Sequence, residues 1–227
     1  MARILILSTA ADALGDTGKK TGVWYEELAT PYYAFLDAGH EVKVATIGGR
    51  AIPIDPNSDV TGDDAPASVT RFRDDADAKA VLENPSRIED EDITSYDALY
   101  IPGGHGAMYD LAESDISAKA ISTAWDGGKI VASVCHGPAA FDKVKDKNGD
   151  SIVKGRKVSA FTDSEERGVG LADAVPFLLE TRLRELGAKF ESVDDWQPHA
   201  VADGRLVTGQ NPASSEAAAK EVLALLG

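Results

Sequence analysis

Cys135 and His136 stand side by side in "KIVASVCHGPAA", residues 129–140. One is the only cysteine of the chain and the other is one of four histidines. The apolar run before them reads as a strand, and Gly137-Pro138 behind them makes the chain turn sharply. A lone cysteine in a strand is ordinarily a small packing residue. At the carboxyl end of a strand in an open α/β sheet, however, it stands where such folds bind ligands. A turn into a helix starting at "PAAFDKV" would display the side chain as a nucleophile elbow does, with cysteine in place of serine. The helix N-terminus would favour a thiolate, and the His136 amide would face a developing oxyanion.

Three further segments offer partners. In "IPGGHGAMYDL", residues 101–111, Gly-Gly follows a strand. Alone it is a plain turn, but beside an elbow the Gly104 amide is the natural second oxyanion donor, and His105 would line the pocket. The pattern is not that of a dinucleotide fingerprint. In "TGVWYEELATPYYAF", residues 21–35, Glu26 and Glu27 lie among Trp24, Tyr25 and Tyr32. Acids near a helix start often serve its dipole. One desolvated among aromatics would instead have a raised pKa and keep its proton near neutrality. Pro31 sits either at the first helical position with Thr30 as cap, or inside a longer helix beginning near Glu26. In "FTDSEERGVG", residues 161–170, any of Asp163, Glu165 and Glu166 could orient the His136 imidazole, unless the run is an exposed acidic loop. Of the other histidines, His40 reads as structural and His199 is unassigned. No histidine pair has helical spacing and there is no Cys-x-x-Cys, so no metal is indicated.

These residues need a scaffold to converge. The 227 residues suit one α/β domain. Strands are expected at residues 3–9, 41–47, 97–104, 129–134, 156–161, 188–193 and 205–209. Helices are expected at 31–40, 171–190 (stopping at Gly187) and from Pro212, capped by Asn211, to the end. Strand–helix alternation with apolar strands predicts a doubly wound, mostly parallel sheet covered on both faces. Residues 51–96, rich in Asp, Pro and Ser, read as an acidic insertion with a short helix at 76–82.

A net charge of −15 would repel phosphate backbones, so nucleic acid is not expected as a partner. No signal peptide and no membrane span is expected. One cysteine cannot make an internal disulfide, and a reducing cytoplasm is the expected compartment.

Together these segments, with "VPFLLETRLRELGA" and "GRLVTGQNPAS", resemble the ThiJ/PfpI superfamily, a class I glutamine amidotransferase-like group. They are most similar to its compact heat-shock branch, which includes the glutathione-independent glyoxalase III enzymes. The resemblance implies one α/β, flavodoxin-like three-layer sandwich over residues 1–227. It implies Cys135 as nucleophile, Glu27 as the acid that contacts it, and His136 with Glu166 completing a triad, Glu165 and Asp163 being close rivals. Gly104 and the His136 amide become oxyanion donors, with His105 and Trp24 beside the substrate. The implied activity is cofactor-free conversion of methylglyoxal and related 2-oxoaldehydes to 2-hydroxy acids, a lyase of the D-lactate dehydratase class, in a homodimer. The superfamily's glutaminases hold their cysteine between glycines, whereas Val134 and His136 flank it here, which argues against glutamine hydrolysis. A deglycase, a holding chaperone or a cysteine redox sensor are the alternatives.

Overall fold

Period-two alternation builds the sheet. In the computed structural model, which describes all 227 residues, Ile4 and Ile6 of the first strand enter one apolar layer while Leu5 and Leu7 enter the other. The strands are β1 (Arg3–Leu7), β2 (Glu41–Thr46), β3 (Ser86–Arg87), β4 (Ala98–Ile101), β5 (Ile130–Val134), β6 (Lys157–Val158), β7 (Lys189–Phe190), β8 (Ala200–Asp203) and β9 (Leu206–Gly209). Seven of them form the central sheet in the order β3-β2-β1-β4-β5-β9-β8. Every neighbouring pair is parallel except the terminal β8–β9 hairpin. The mostly parallel, helix-covered sheet expected above is therefore present.

The helices are α1 (Tyr25–Asp37), α2 (Ala67–Asp74), α3 (Ala76–Glu83), α4 (Ala107–Asp110), α5 (Asp115–Asp126), α6 (Asp163–Gly168), α7 (Leu179–Glu185) and α8 (Ser215–Leu226). One face of the sheet is covered by α1 and α8 over 25 buried apolar residues, the other by α5 and α7 over 31. The strand order reverses between β1 and β4, so the crevice at their carboxyl ends is the natural ligand site.

Several elements differ from expectation. The 156–161 and 188–193 strands shrink to β6 and β7, which pair with each other outside the main sheet. Beyond β6 the chain instead tethers to the sheet's end: Ser159 N–H donates to Thr208 Oγ1 at 2.8 Å and Phe161 N–H to Cys135 O at 3.0 Å. The helix expected over 171–190 begins only at Leu179, because Pro176 lacks an N–H and biases the residue before it away from helix. The acidic 51–96 stretch holds two helices rather than one. The unforeseen α2 buries Val69 and Phe72, the latter 5.3–5.9 Å from the rings of Tyr25, Tyr32 and Tyr33. Pro31 lies inside α1, so the longer-helix alternative is the one realised, and the carbonyl of Glu27 has no proline N–H to accept from.

Candidate active site

Cys135 follows β5 with φ = 58°, one of two non-glycine residues in the left-handed region. That conformation costs about 1–2 kcal/mol and is fixed from both sides. Its N–H donates to Gly209 O at 2.9 Å and its carbonyl accepts from Phe161 N–H at 3.0 Å. Only glycine fits around it. A Cβ at Gly137 would lie 2.4 Å from Ser133 Oγ and 2.5 Å from Ile101 O. One at Gly103 would lie 2.6 Å from His136 N and 2.7 Å from Glu27 Oε2. The helix expected beneath the turn is absent. A five-residue 3₁₀ segment, Gly137–Phe141, stands there, and the chain then turns away to the Lys145–Ser151 bridge. The thiol's nearest backbone dipole comes instead from the Gly104 N–H, which favours a thiolate. No backbone carbonyl accepts from the Gly104 or His136 amides, and the Gly104 amide faces the thiol.

Glu27 reaches this corner from the first turn of α1 and is wholly buried. Its Oε2 accepts from Gly103 N–H at 2.7 Å, and its Oε1 has no hydrogen-bond partner. Burial pushes its carboxyl well above the usual range, and the neighbouring thiol and the Gly103 amide offset this only in part. Burial likewise pushes the Cys135 thiol up, and a carboxylate at Glu27 would push it further. Two such groups hold one proton between them more readily than none. When that proton is on Glu27 Oε1, the carboxyl becomes a donor toward the sulfur and a thiolate becomes tolerable.

On the other side of the thiol, His136 Nδ1 lies 3.3 Å from Sγ. Its Nε2 is 2.7 Å from Glu166 Oε2, and His105 Nε2 is 2.9 Å from Glu166 Oε1. Burial would raise Glu166, but the hydrogen bonds from the two histidines outweigh it and hold the carboxyl at about 2. A carboxylate only accepts, so both Nε2 atoms carry protons and His136 Nδ1 is left as an acceptor facing the thiol. Burial, then the adjacent His105, lowers His136 to about 4 and keeps it neutral.

Of the three acids open from the sequence, Glu166 alone meets His136. Asp163 accepts from Thr181 Oγ1 at 2.6 Å, and Glu165 caps α6 and faces away. The His105 ring nitrogen also turns to Glu166, and its ring lies 4.0 Å from that of His136, tilted by 39°. Donor atoms of His105, His136 and Glu166 lie within 4.8 Å of one another, a grouping invisible in sequence spacing. The hydrogen bonds among them already occupy those atoms, which suits a proton relay.

The thiol opens into a cavity of about 380 Å³ that Trp24 and His105 line, as expected. Glu26, Phe161, Val169, Trp196 and Asn211 line it as well. Only the loop conformation brings Trp196 and Asn211 there; no local pattern marked Trp196, and Asn211 was marked only as a helix cap. His40 and His199 stay outside the cavity, His40 Nδ1 accepting from Ala2 N–H at 3.0 Å.

Residues 20–225 match the model of the DJ-1/PfpI family. The chain is 31% identical to Glyoxalase 3 of Candida albicans over 97% of its own length and 96% of the relative's. It is 30% identical to the glutathione-independent glyoxalase HSP31 of Saccharomyces cerevisiae, over 95% and 94%. Among solved structures it superposes on the Rapid Encystment Protein 24 KDa of Francisella tularensis with a TM-score of 0.95, at 36% identity and full coverage of both chains.

Proposed function

The chain belongs to the DJ-1/PfpI family, and on that footing we propose that it is a glutathione-independent glyoxalase acting on methylglyoxal and related 2-oxoaldehydes. The observation that carries this reading is the thiol of Cys135, set on a left-handed elbow between a buried, proton-holding carboxyl and a neutral imidazole. The Cys135 sulfur bonds to the aldehyde carbon, and the new alkoxide, aimed at the Gly104 and His136 amides, takes a proton to give a hemithioacetal. A base, Glu27 or His136, removes the C1 proton, the electron pair forms the C1–C2 double bond, and the C2 carbonyl oxygen takes up a proton to give an enediol. Return of a proton to C2, with loss of the C1 hydroxyl proton, leaves C1 oxidised and C2 reduced, as a thioester of the 2-hydroxy acid. Water then breaks the C–S bond, releasing lactate and the free thiol. The net change is addition of one water, so the redox step is internal to the substrate.

Glu166 holds His136 in the tautomer with Nδ1 toward sulfur. The reading extends to a D-lactate dehydratase class of lyase, to a cytoplasmic setting that keeps a lone thiol reduced, and to a homodimer. Light scattering on the purified chain tests the dimer. The activity is tested by following methylglyoxal loss and lactate formation without added thiol. Wild type should convert it and Cys135→Ala should lose at least about a thousandfold in kcat. Unchanged turnover in Cys135→Ala would sink the mechanism.

A further inference from the structure

A line of aromatic rings leads outward from the nucleophile. The Phe161 ring lies 4.3 Å from the His136 ring, and the Trp196 ring lies 5.7 Å from Phe161, edge-on at 64°. Trp196 is the second non-glycine residue in the left-handed region, at φ = 67°. That conformation disfavours a bulky side chain, yet it secures no burial, since Trp196 is 47% exposed. It is enforced: the Trp196 N–H donates to the buried Glu165 Oε1 at 2.8 Å. The indole lies over Gly168, where a Cβ would stand 3.6 Å from Trp196 Cζ2. Beside it Val169 is 43% exposed. Two of the chain's few exposed large apolar side chains thus meet at the mouth of one cavity, a concentration that marks a binding surface. Methylglyoxal, with three carbons, leaves most of about 380 Å³ unfilled.

Resting on the glyoxalase reading above, we propose that Trp196 and Phe161 form a wall that binds the substituent of the 2-oxoaldehyde. The preferred substrates are then 2-oxoaldehydes bearing an aryl or extended apolar group, with Trp196 as the residue that sets this preference. With the aldehyde carbon at Sγ, a flat substituent lies against Phe161 and meets the indole edge, the arrangement aromatic pairs favour.

The test compares phenylglyoxal with methylglyoxal as substrates for wild type, Trp196→Gly and Trp196→Phe. Glycine adopts the left-handed conformation without strain, so Trp196→Gly removes the wall and leaves the loop its shape. The kcat/KM ratio of phenylglyoxal to methylglyoxal should fall about tenfold in Trp196→Gly, through KM, and largely recover in Trp196→Phe. Acetophenone, an aryl ketone without an aldehyde, serves as a binding probe by ligand-observed NMR and should bind Trp196→Gly about tenfold more weakly than wild type. An unchanged ratio, or equal acetophenone binding by both proteins, overturns the proposal. Should wild type convert neither aldehyde, the glyoxalase reading falls, and the acetophenone titration alone decides whether the aryl wall exists.

Discussion

Glu27 and Glu165 are both wholly buried carboxyls within the same corner of the fold, and they are treated in opposite ways. Glu165 is saturated. Its Oε1 accepts from Trp196 N–H at 2.8 Å, Asn211 Nδ2 at 2.8 Å and Gln210 Nε2 at 3.2 Å. Its Oε2 accepts from the amide and hydroxyl of Thr162 at 3.0 and 3.1 Å. Donors on every side hold the carboxyl in place, and it ties three loops together. Glu27 has one such donor and one bare oxygen. A buried acid so poorly solvated is stable only with a proton on it. The lesson is that burial alone does not define a carboxyl's task. The number of donors around it decides whether it is a scaffold or a store for a proton.

The sharpest way to break this contrast is Glu27→Gln. It should lower kcat for methylglyoxal by about 10²–10⁴-fold, yet raise the melting temperature, because a neutral amide replaces a group that burial disfavours when charged. A variant that lost activity and stability together would make Glu27 a scaffold after all. Glu165→Gln should behave inversely. Turning one acceptor oxygen into an NH₂ among donors should cost about 3 kcal/mol in denaturant unfolding, with a smaller loss of kcat. If Glu165→Gln abolished turnover and left stability intact, the assignment of roles would be reversed.

The smallest effect lies in pH. His136 sits at about 4 when folded against an ordinary 6.5, so it remains an unprotonated base down to that region. The acid limb of kcat/KM should therefore fall near pH 4 rather than near 6.5. The same shift erodes stability: below 6.5 the unfolded chain takes a proton that the folded His136 refuses until about 4. Glu166, at about 2 when folded against 4.5, adds stability above 4.5 that is lost as pH falls toward 2. On the alkaline side, activity should decline as Glu27 loses its proton at a pH well above the usual carboxyl range. A pH profile with its acid limb near 6.5 would show that His136 titrates freely, against the buried, paired geometry.

The sheet was legible because its signal is local: apolar strands, glycine stops and a capped last helix can all be read a few residues at a time. Cys135 and Gly104 were legible for a related reason, since each follows a strand end with distinctive neighbours, whereas Glu27, in the first turn of α1, was separated from Glu26 only by the family resemblance. The residues alone narrowed the partner of His136 to three acids, and only the resemblance favoured Glu166 among them, because adjacent helical residues point in different directions and packing says which one faces a ring. Trp196 and the α2 helix were not foreseen. Both depend on partners distant in sequence: Glu165 for the one, and the tyrosines of α1 for the other. The helix expected beneath Cys135 failed for the opposite reason, a local helical pattern overridden by a chain that must leave for the Lys145 bridge.

The hydrogen bonds that assemble the site join residues far apart in the chain: 76 positions between Gly103 and Glu27, 61 between His105 and Glu166, 30 between His136 and Glu166. Contacts of that span form late, after loop closure has brought distant strands into register. A newly made or partly unfolded chain therefore carries an ordinary thiol, without its elbow, proton donor or base. Reactivity at Cys135 is a property of the finished sheet, so the rate at which activity returns during refolding should track formation of the β1–β4–β5 centre rather than of any single helix.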